Sequence, residues 1–157
     1  MTPYTIRPAT DGDCEGLWTV HVQAIRHTCS RAYSAEQIQA WSALLSPGSY
    51  VEMLRNRVVV VAEDDTGVIG FGQLDADRRE IEAVYVRPDR QGQGIGRALL
   101  QRLESSARAV GIDKVSLSAT LNAVPFYVRA GFTTEGPVVH RLPTGQELAC
   151  TRMHKGL

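Results

Sequence analysis

The chain changes from strand-like to helix-like sequence within the segment EIEAVYVRPDRQGQGIGR, residues 80–97. The apolar and β-branched residues up to Val86 predict a strand, which Pro88 ends. The apolar spacing after Gly94 predicts a helix that continues to about Val110. Three glycines between a strand and a helix let backbone N–H groups converge on an anion, and the positive end of the helix dipole adds attraction. The segment therefore predicts a phosphate-binding loop.

Two common phosphate-binding patterns do not fit this loop. The dinucleotide pattern G-x-G-x-x-G fails because Arg97 or Leu99 stands where its third glycine is required. The nucleoside-triphosphate pattern fails because no Gly-Lys-Ser/Thr follows. The loop matches instead the pattern Q/R-x-x-G-x-G/A, with Gln91, Gly94 and Gly96 at its fixed positions.

The segments on both sides of the loop complete a pattern of mixed strands and helices. Ser34 offers an N-cap for one helix, with Gln37 three residues further on. The predicted elements are a strand at 4–8, a helix from Thr10 or Asp11 to about His27, a helix from Ser34 toward Leu45, a short helix admitted before Arg55, strands at 58–63, 68–74 and 80–86, a helix at 94–110, a strand at 114–119, a helix at 122–130, and strands near 133–139 and 147–153. The main order, β-α-α-β-β-β-α-β-α-β-β, predicts one α+β domain over residues 1–157, with a mixed, mostly antiparallel sheet flanked by helices.

The composition indicates a globular protein without a global electrostatic field. Of its 157 residues, 43% are hydrophobic and 22% are charged, and the formal net charge is zero. Nucleic acid and anionic membranes are therefore not expected as partners. The N-terminal residues do not form a signal peptide and no stretch is long enough to span a membrane. Three widely spaced cysteines fit reduced thiols better than a disulfide framework or a zinc site, which predicts a cytoplasmic protein with no bound metal.

Two further motifs accompany the loop in the same order as in a known family. They are NAVPFY at residues 122–127 with AGF at 130–132, and a closing hairpin that ends in Met153. With the strand-loop-helix unit and IRPA at residues 6–9, the sequence resembles the GNAT superfamily of N-acetyltransferases over nearly its whole length. The segment YSAEQ at 33–37 and Trp41 also resemble a little-studied bacterial subgroup of that superfamily.

The resemblance implies acetyl-CoA as the acetyl donor. It places the pyrophosphate on the backbone amides of the loop and the pantetheine arm along the strand before it, where amide groups can extend a sheet edge. Arg87, Arg90 and Arg97 cluster around the loop and could meet phosphate oxygens or serve only as a solvated surface. The residues expected at the cofactor are Val84, Tyr85, Val86, Arg90, Gln91, Gly92, Gln93, Gly94, Ile95, Gly96, Arg97 and Asn122.

The resemblance also implies direct attack of a bound amine on the thioester. It places Tyr127 where many family members have a tyrosine that protonates the departing thiolate, and a backbone N–H near Val84 where the oxyanion forms. Glu80 and Glu82 are candidates for the base, and their spacing predicts that they share a strand face with Val84. The sequence does not choose between the two glutamates, which could also be solvated surface acids.

The acceptor is expected to be the amine of a small molecule or an exposed amino group. In this fold it usually meets the first two helices and the last hairpin, so its candidate contacts are His21, His27, Tyr33, Trp41 and His140. A homodimer is compatible with the sequence. Two alternatives stay open: a noncatalytic acyl-CoA-binding sensor or regulatory module on the same fold, and an enzyme with Cys29 as an acyl-accepting nucleophile beside His21 or His27.

Overall fold

The computed structural model describes residues 2–157, in which seven strands form one sheet. The strands are β1 Thr5–Pro8, β2 Val58–Asp64, β3 Gly67–Asp75, β4 Glu80–Val86, β5 Lys114–Thr120, β6 Thr133–Arg141 and β7 Glu147–Gly156. The helices are α1 Cys14–Gln23, α2 Ala35–Ala43, α3 Val51–Asn56, α4 Ile95–Ala109 and α5 Val124–Arg129. The predicted α+β class is confirmed. The helix α3 corresponds to the short helix that was considered before Arg55 but left out of the main predicted order.

The sheet has the order β1-β2-β3-β4-β5-β7-β6, with every neighbouring pair antiparallel except β4 and β5. The parallel pair arises because the chain crosses over through α4 between these two strands. No helix among residues 2–157 is long and apolar enough to cross a membrane.

Side chains pack on both faces of the sheet. The largest buried cluster lies on the α4 face, where Leu99 and Leu103 are fully buried against the strands. A second cluster lies under α1, around Leu17 and Phe71. A third joins α2 to the hairpin of β6 and β7 through Ile38 and Leu148. α1 and α2 therefore lie on the opposite face of the sheet from α4, the helix that follows the glycine loop.

The second helix begins as its sequence predicts. The Ser34 hydroxyl accepts from the Gln37 N–H at 3.1 Å, and the Gln37 side chain accepts from the Ser34 N–H at 2.8 Å. This reciprocal pair satisfies two N–H groups that the helix start would leave unpaired.

The first helix ends earlier than predicted. After α1 the backbone continues as a π-helix, Ala24–Thr28, and then as a 3₁₀ turn, Cys29–Arg31. The Cys29 N–H donates to the carbonyl of Ala24, five residues back. Since this wider pairing depends on how the segment packs, the apolar spacing of the sequence could not separate it from a continuous α-helix.

A bulge in β4 corrects the predicted parity of the glutamates. Ile81 pairs with Leu74 and Ala83 pairs with Gln73, which leaves Glu82 as the additional residue on β4. Ile81 and Val84 consequently face α4, whereas Ala83 faces α1. The prediction that Glu82 shares a face with Val84 is wrong, because the extra residue reverses the alternation of side chains.

Candidate active site

A cavity of about 540 Å³ opens between β4 and the end of β5, beside the starts of α4 and α5. The two strands pair at Glu80 and Ser116 and then diverge, so the cavity occupies the gap between them. All residues predicted at the cofactor line this cavity except Gln93. Its walls also include Ala24, Thr28, Cys29, Thr120, Ala123, Pro125, Phe126, Tyr127 and Arg129.

The backbone of β4 presents unpaired groups to this gap. The Arg87 N–H donates to the carbonyl of Ile69 at 2.8 Å, which fixes the hydrogen-bonding parity of β4 with β3. Because antiparallel pairing alternates, the backbone groups of Val84 and Val86 point away from β3, toward the gap. An extended ligand can therefore pair with β4 where β5 no longer does.

The glycine loop closes one end of the cavity with free backbone donors. Gly92 and Gly94 have φ angles of +75° and +81°, which other L-residues rarely adopt. The Ala98 N–H donates to the carbonyl of Gly94 at 3.0 Å as α4 begins. The first three N–H groups of α4, those of Ile95 to Arg97, have no carbonyl within the helix to which they could donate. These donors suit a diphosphate.

The buried Arg90 holds the loop from within the protein. It forms an ion pair with Asp64, and it donates to the Gln93 side chain and to the carbonyl of Thr2, each at 3.0 Å. The guanidinium of Arg90 therefore donates to groups of the protein itself, although Arg90 lines the cavity. Arg97 and Arg129, both exposed, stand at the rim, and the Arg97 side chain donates to the Arg129 carbonyl at 3.3 Å.

Two polar side chains on α5 and the turn before it face the cavity. Tyr127 is 7% exposed, packs edge-on against Phe126 and Phe132, and has its pKa raised by burial. The Oδ1 atom of Asn122 is buried and has no hydrogen-bond partner among residues 2–157. A buried acceptor without a donor is costly, so Asn122 is suited to an N–H group of a ligand.

Neither predicted glutamate lines the cavity. Glu82 accepts from Arg57 at 2.6 Å and from Gln73 at 2.7 Å, on the side of α3. Glu80 lies where β4 and β5 separate, and it accepts from Arg152 at 3.2 Å. The bulge at Glu82 is the reason that the two carboxylates have different surroundings.

The five predicted acceptor residues do not all lie together. His27 and His140 are exposed, and none of the five lines the cavity. His21 lies among aromatic rings, 4.5 Å from the ring of Tyr85, with its Nδ1 2.8 Å from the Tyr50 hydroxyl. Burial lowers the pKa of His21 to about 4, so this imidazole is neutral at pH 7. Trp41 contributes to the same aromatic group, 6.5 Å from His21.

The hydroxyl of Tyr33 links three distant segments. It donates to the carbonyl of Ala149 on β7 at 2.6 Å and accepts from the N–H of Leu121 at 3.1 Å. Because Leu121 directly precedes Asn122, Tyr33 helps to hold that side chain at the cavity. The structure therefore gives Tyr33 a supporting position, and its contact with the acceptor stays a prediction.

The π-helix and the first residue of the following 3₁₀ turn contribute wall residues that the sequence did not reveal. Ala24, Thr28 and Cys29 all line the cavity, and the Gln91 side chain donates to the Thr28 hydroxyl at 2.9 Å. Burial raises the pKa of Cys29 to about 12, which keeps the thiol protonated at neutral pH. Since the thiolate is the nucleophilic form, Cys29 is poorly suited to accept an acyl group. No group of three or more metal-binding side chains occurs within residues 2–157.

Known sequences and structures that resemble the chain agree on its family. A family model described as an acetyltransferase (GNAT) domain matches residues 29–142. The "Uncharacterized N-acetyltransferase YafP" of Escherichia coli is 31% identical over 85% of this chain and 84% of that protein. The "L-amino acid N-acyltransferase MnaT" of E. coli is 32% identical over 68% of this chain and 64% of that protein.

Solved structures extend the likeness to the whole fold. A GCN5-related N-acetyltransferase from Rhodopseudomonas palustris superimposes with a TM-score of 0.92 at 27% identity, covering 100% of this chain and 97% of the other. YncA from Salmonella typhimurium, a putative acetyltransferase solved with its cofactor acetyl-CoA, gives a TM-score of 0.70 at 27% identity, with 98% and 94% covered. The chain belongs to the GNAT family of acetyltransferases.

Proposed function

We propose that the chain transfers the acetyl group of acetyl-CoA directly to the amine of a small molecule or to an exposed amino group, in a ternary complex. The observation that carries this proposal is the cavity between β4 and β5, which combines an unpaired strand edge with free N–H groups at a helix start. A ligand that carries both amides and phosphates complements those two features.

We assign each part of the donor to a part of the cavity. The loop amides hold the pyrophosphate, and the Val84 carbonyl and the Val86 backbone groups pair with the pantetheine amides, which leaves the Val84 N–H for the thioester. Asn122 accepts from a pantetheine N–H, since its Oδ1 has no protein partner. Arg97 and Arg129 are the rim cations available to phosphate oxygens, whereas Arg90 supports the loop.

The acetyl transfer itself needs an oxyanion donor and a proton for the leaving group. The amine nitrogen attacks the thioester carbon, and the Val84 N–H stabilises the oxygen of the tetrahedral intermediate. The C–S bond then breaks and Tyr127 donates its proton to the thiolate. Burial raises the pKa of Tyr127, and it also disfavours the thiolate in the same surroundings, so the two acids remain comparable.

The attacking amine must lose a proton, which costs about 4 to 5 kcal/mol at pH 7 for an alkylammonium. We assign this proton to Glu80. It lies at the point where the strands diverge and accepts one hydrogen bond of 3.2 Å from Arg152. Glu82 accepts two shorter bonds, from Arg57 and Gln73, and so is the less available base.

Relatives of this chain support catalysis over sensing. They are named as acetyl- or acyltransferases, and MnaT makes L-amino acids candidate acceptors. Free thiols, two of them buried, support a cytoplasmic location. A homodimer and a single functional domain stay predictions.

The loop can be tested with Gly94→Ala. Its φ of +81° makes any side chain strained by about 1 kcal/mol or more, and the new Cβ would point into the open space assigned to phosphate. We expect coenzyme A affinity, measured by calorimetry, to fall at least about tenfold. Gly145→Ala is the control, because Gly145 has a φ of +90° and equally open surroundings outside the cavity. Equal affinities in the two variants would contradict the assignment.

The supporting position of Tyr33 predicts a binding defect in Tyr33→Phe. Removing the hydroxyl leaves the Leu121 N–H unpaired, at a cost of about 1 to 3 kcal/mol, and loosens Asn122. We expect the dissociation constant for acetyl-CoA to rise several-fold. Tyr50→Phe removes a hydroxyl bonded to His21 instead and should leave that constant unchanged. Unaltered binding in Tyr33→Phe, with its stability reduced, would limit Tyr33 to folding.

Tyr127→Phe should lower kcat by roughly 100-fold, because the leaving thiolate loses its proton donor. Acetyl-CoA binding should change little, since the ring and its packing are kept. Stopped-flow or steady-state detection of released coenzyme A measures the rate. A variant with wild-type turnover would exclude Tyr127 from proton transfer.

The two glutamates can be separated by Glu80→Gln and Glu82→Gln. We expect Glu80→Gln to lose at least about tenfold in kcat/KM at pH 7, with the deficit shrinking as pH approaches the amine pKa near 10.4, where a base is no longer needed. Glu82→Gln should retain the wild-type pH profile. The reverse result would transfer the role to Glu82.

A further inference from the structure

We propose that the hydroxyl of Tyr85 holds the attacking amine in place by accepting a hydrogen bond from its N–H group. This inference rests on the proposed function and adds a residue to the acceptor side of the same site. Tyr85 lines the cavity, and its ring packs on the face of the sheet that carries α1, opposite to the face that carries Tyr127.

The cavity passes through the sheet from one face to the other. Tyr127 belongs to the buried cluster around Leu99, whereas Tyr85 packs against the cluster around Phe71, and both tyrosines line the cavity. The passage is the gap that opens where β4 and β5 stop pairing. The glycine loop and the starts of α4 and α5 surround the proposed donor, which leaves the α1 face for the amine. An amine that approaches the thioester from that face passes Tyr85.

The hydroxyl of Tyr85 has no hydrogen-bond partner among residues 2–157. Burial raises the pKa of this phenol well above its usual value, and the neighbouring Cys29 thiol and Tyr127 phenol raise it further. Because both of these neighbours line the cavity, the hydroxyl end of Tyr85 lies at the cavity as well as its ring. A hydroxyl in a buried setting without a protein partner is suited to a polar group of a ligand.

Other aromatic side chains hold the ring of Tyr85. Its centroid lies 4.5 Å from that of His21 and 5.8 Å from that of Phe71. His21 is itself fixed, since its Nδ1 lies 2.8 Å from the hydroxyl of the buried Tyr50. This packing restricts rotation of the Tyr85 side chain, so the position of its hydroxyl is set before the amine arrives.

A hydrogen bond to Tyr85 orients the nucleophile without consuming it. A neutral primary amine has two N–H groups and one lone pair. When one N–H donates to the Tyr85 oxygen, the lone pair stays free to attack the thioester carbon, and the amine loses rotational freedom before the reaction. The raised pKa keeps the Tyr85 phenol neutral at pH 7, so Tyr85 positions the amine while Glu80 keeps the proposed role of base.

The experiment compares two thioethers of coenzyme A that differ in one group. S-carbamoylmethyl-CoA ends in CO–NH₂ and S-(2-oxopropyl)-CoA ends in CO–CH₃, so only the first carries N–H donors close to where the amine attacks. Calorimetry gives the dissociation constant of each thioether, and no acceptor is needed. We expect wild-type protein to bind the amide at least about fivefold more tightly than the ketone, as one additional hydrogen bond provides.

Variants test whether Tyr85 causes the preference for the amide. Tyr85→Phe should remove the preference and leave the dissociation constant of acetyl-CoA within about twofold, because the ring and its packing are kept. Tyr127→Phe is the matched control, since it removes a hydroxyl from the same cavity on the other face of the sheet and should retain the preference. Equal binding of the two thioethers by wild-type protein, persistence of the preference in Tyr85→Phe, or its loss in Tyr127→Phe alone would overturn the inference.

Two further readouts separate misfolding and loss of function from a wrong assignment of Tyr85. Thermal unfolding shows whether each variant is folded, and Tyr85→Leu, which also lacks the hydroxyl, replaces Tyr85→Phe if that variant unfolds. With an amine that gives release of coenzyme A, loss of the hydroxyl should raise KM for the amine at least about fivefold and leave KM for acetyl-CoA unchanged. Release of coenzyme A without a preference for the amide overturns the inference and keeps the proposed function, whereas failure to bind acetyl-CoA and both thioethers overturns both.

Discussion

A strand in the middle of a sheet must find hydrogen-bond partners on both edges, and β4 finds them on only one for most of its length. It pairs with β3 throughout, but it pairs with β5 at Glu80 and Ser116 alone. Buried backbone groups are almost always paired, so an interior edge left open requires a ligand or water. The position of the cavity follows from this divergence, and the Val84 and Val86 backbone groups, which point away from β3, face it.

The bulge at Glu82 connects that divergence to the chemistry. One additional residue reverses the side-chain alternation of β4, so that Val84 faces α4 while Ala83 and Tyr85 face α1. The same residue separates the environments of the two glutamates, since Glu82 turns to Arg57 and Glu80 stays beside Arg152. Bulges frequently lie beside active sites because they redirect side chains without interrupting the sheet.

The sequence predicted the features that depend on local chemistry. The strand, glycine loop and amphipathic helix of residues 80–110 are local patterns, and so is the capping pair of Ser34 and Gln37. The bulge and the π-helix depend on pairing and packing with distant segments, and no single residue type marks them. His21 illustrates the same limit, because apolar helical spacing is compatible with a packed aromatic side chain and with an acceptor contact alike.

The hydroxyl of Tyr33 also has a consequence for how the protein is made. Its partners lie 88 and 116 residues away along the chain, on Leu121 and Ala149. Contacts of such long sequence separation close late in folding, because chain entropy opposes them until intervening structure has formed. A chain still on the ribosome can bury the α4 side of β1 to β4 before β7 has been synthesised. The end of the cavity next to Asn122 takes its final shape only when β7 joins the sheet, so competence for catalysis is acquired only after β7 has been synthesised.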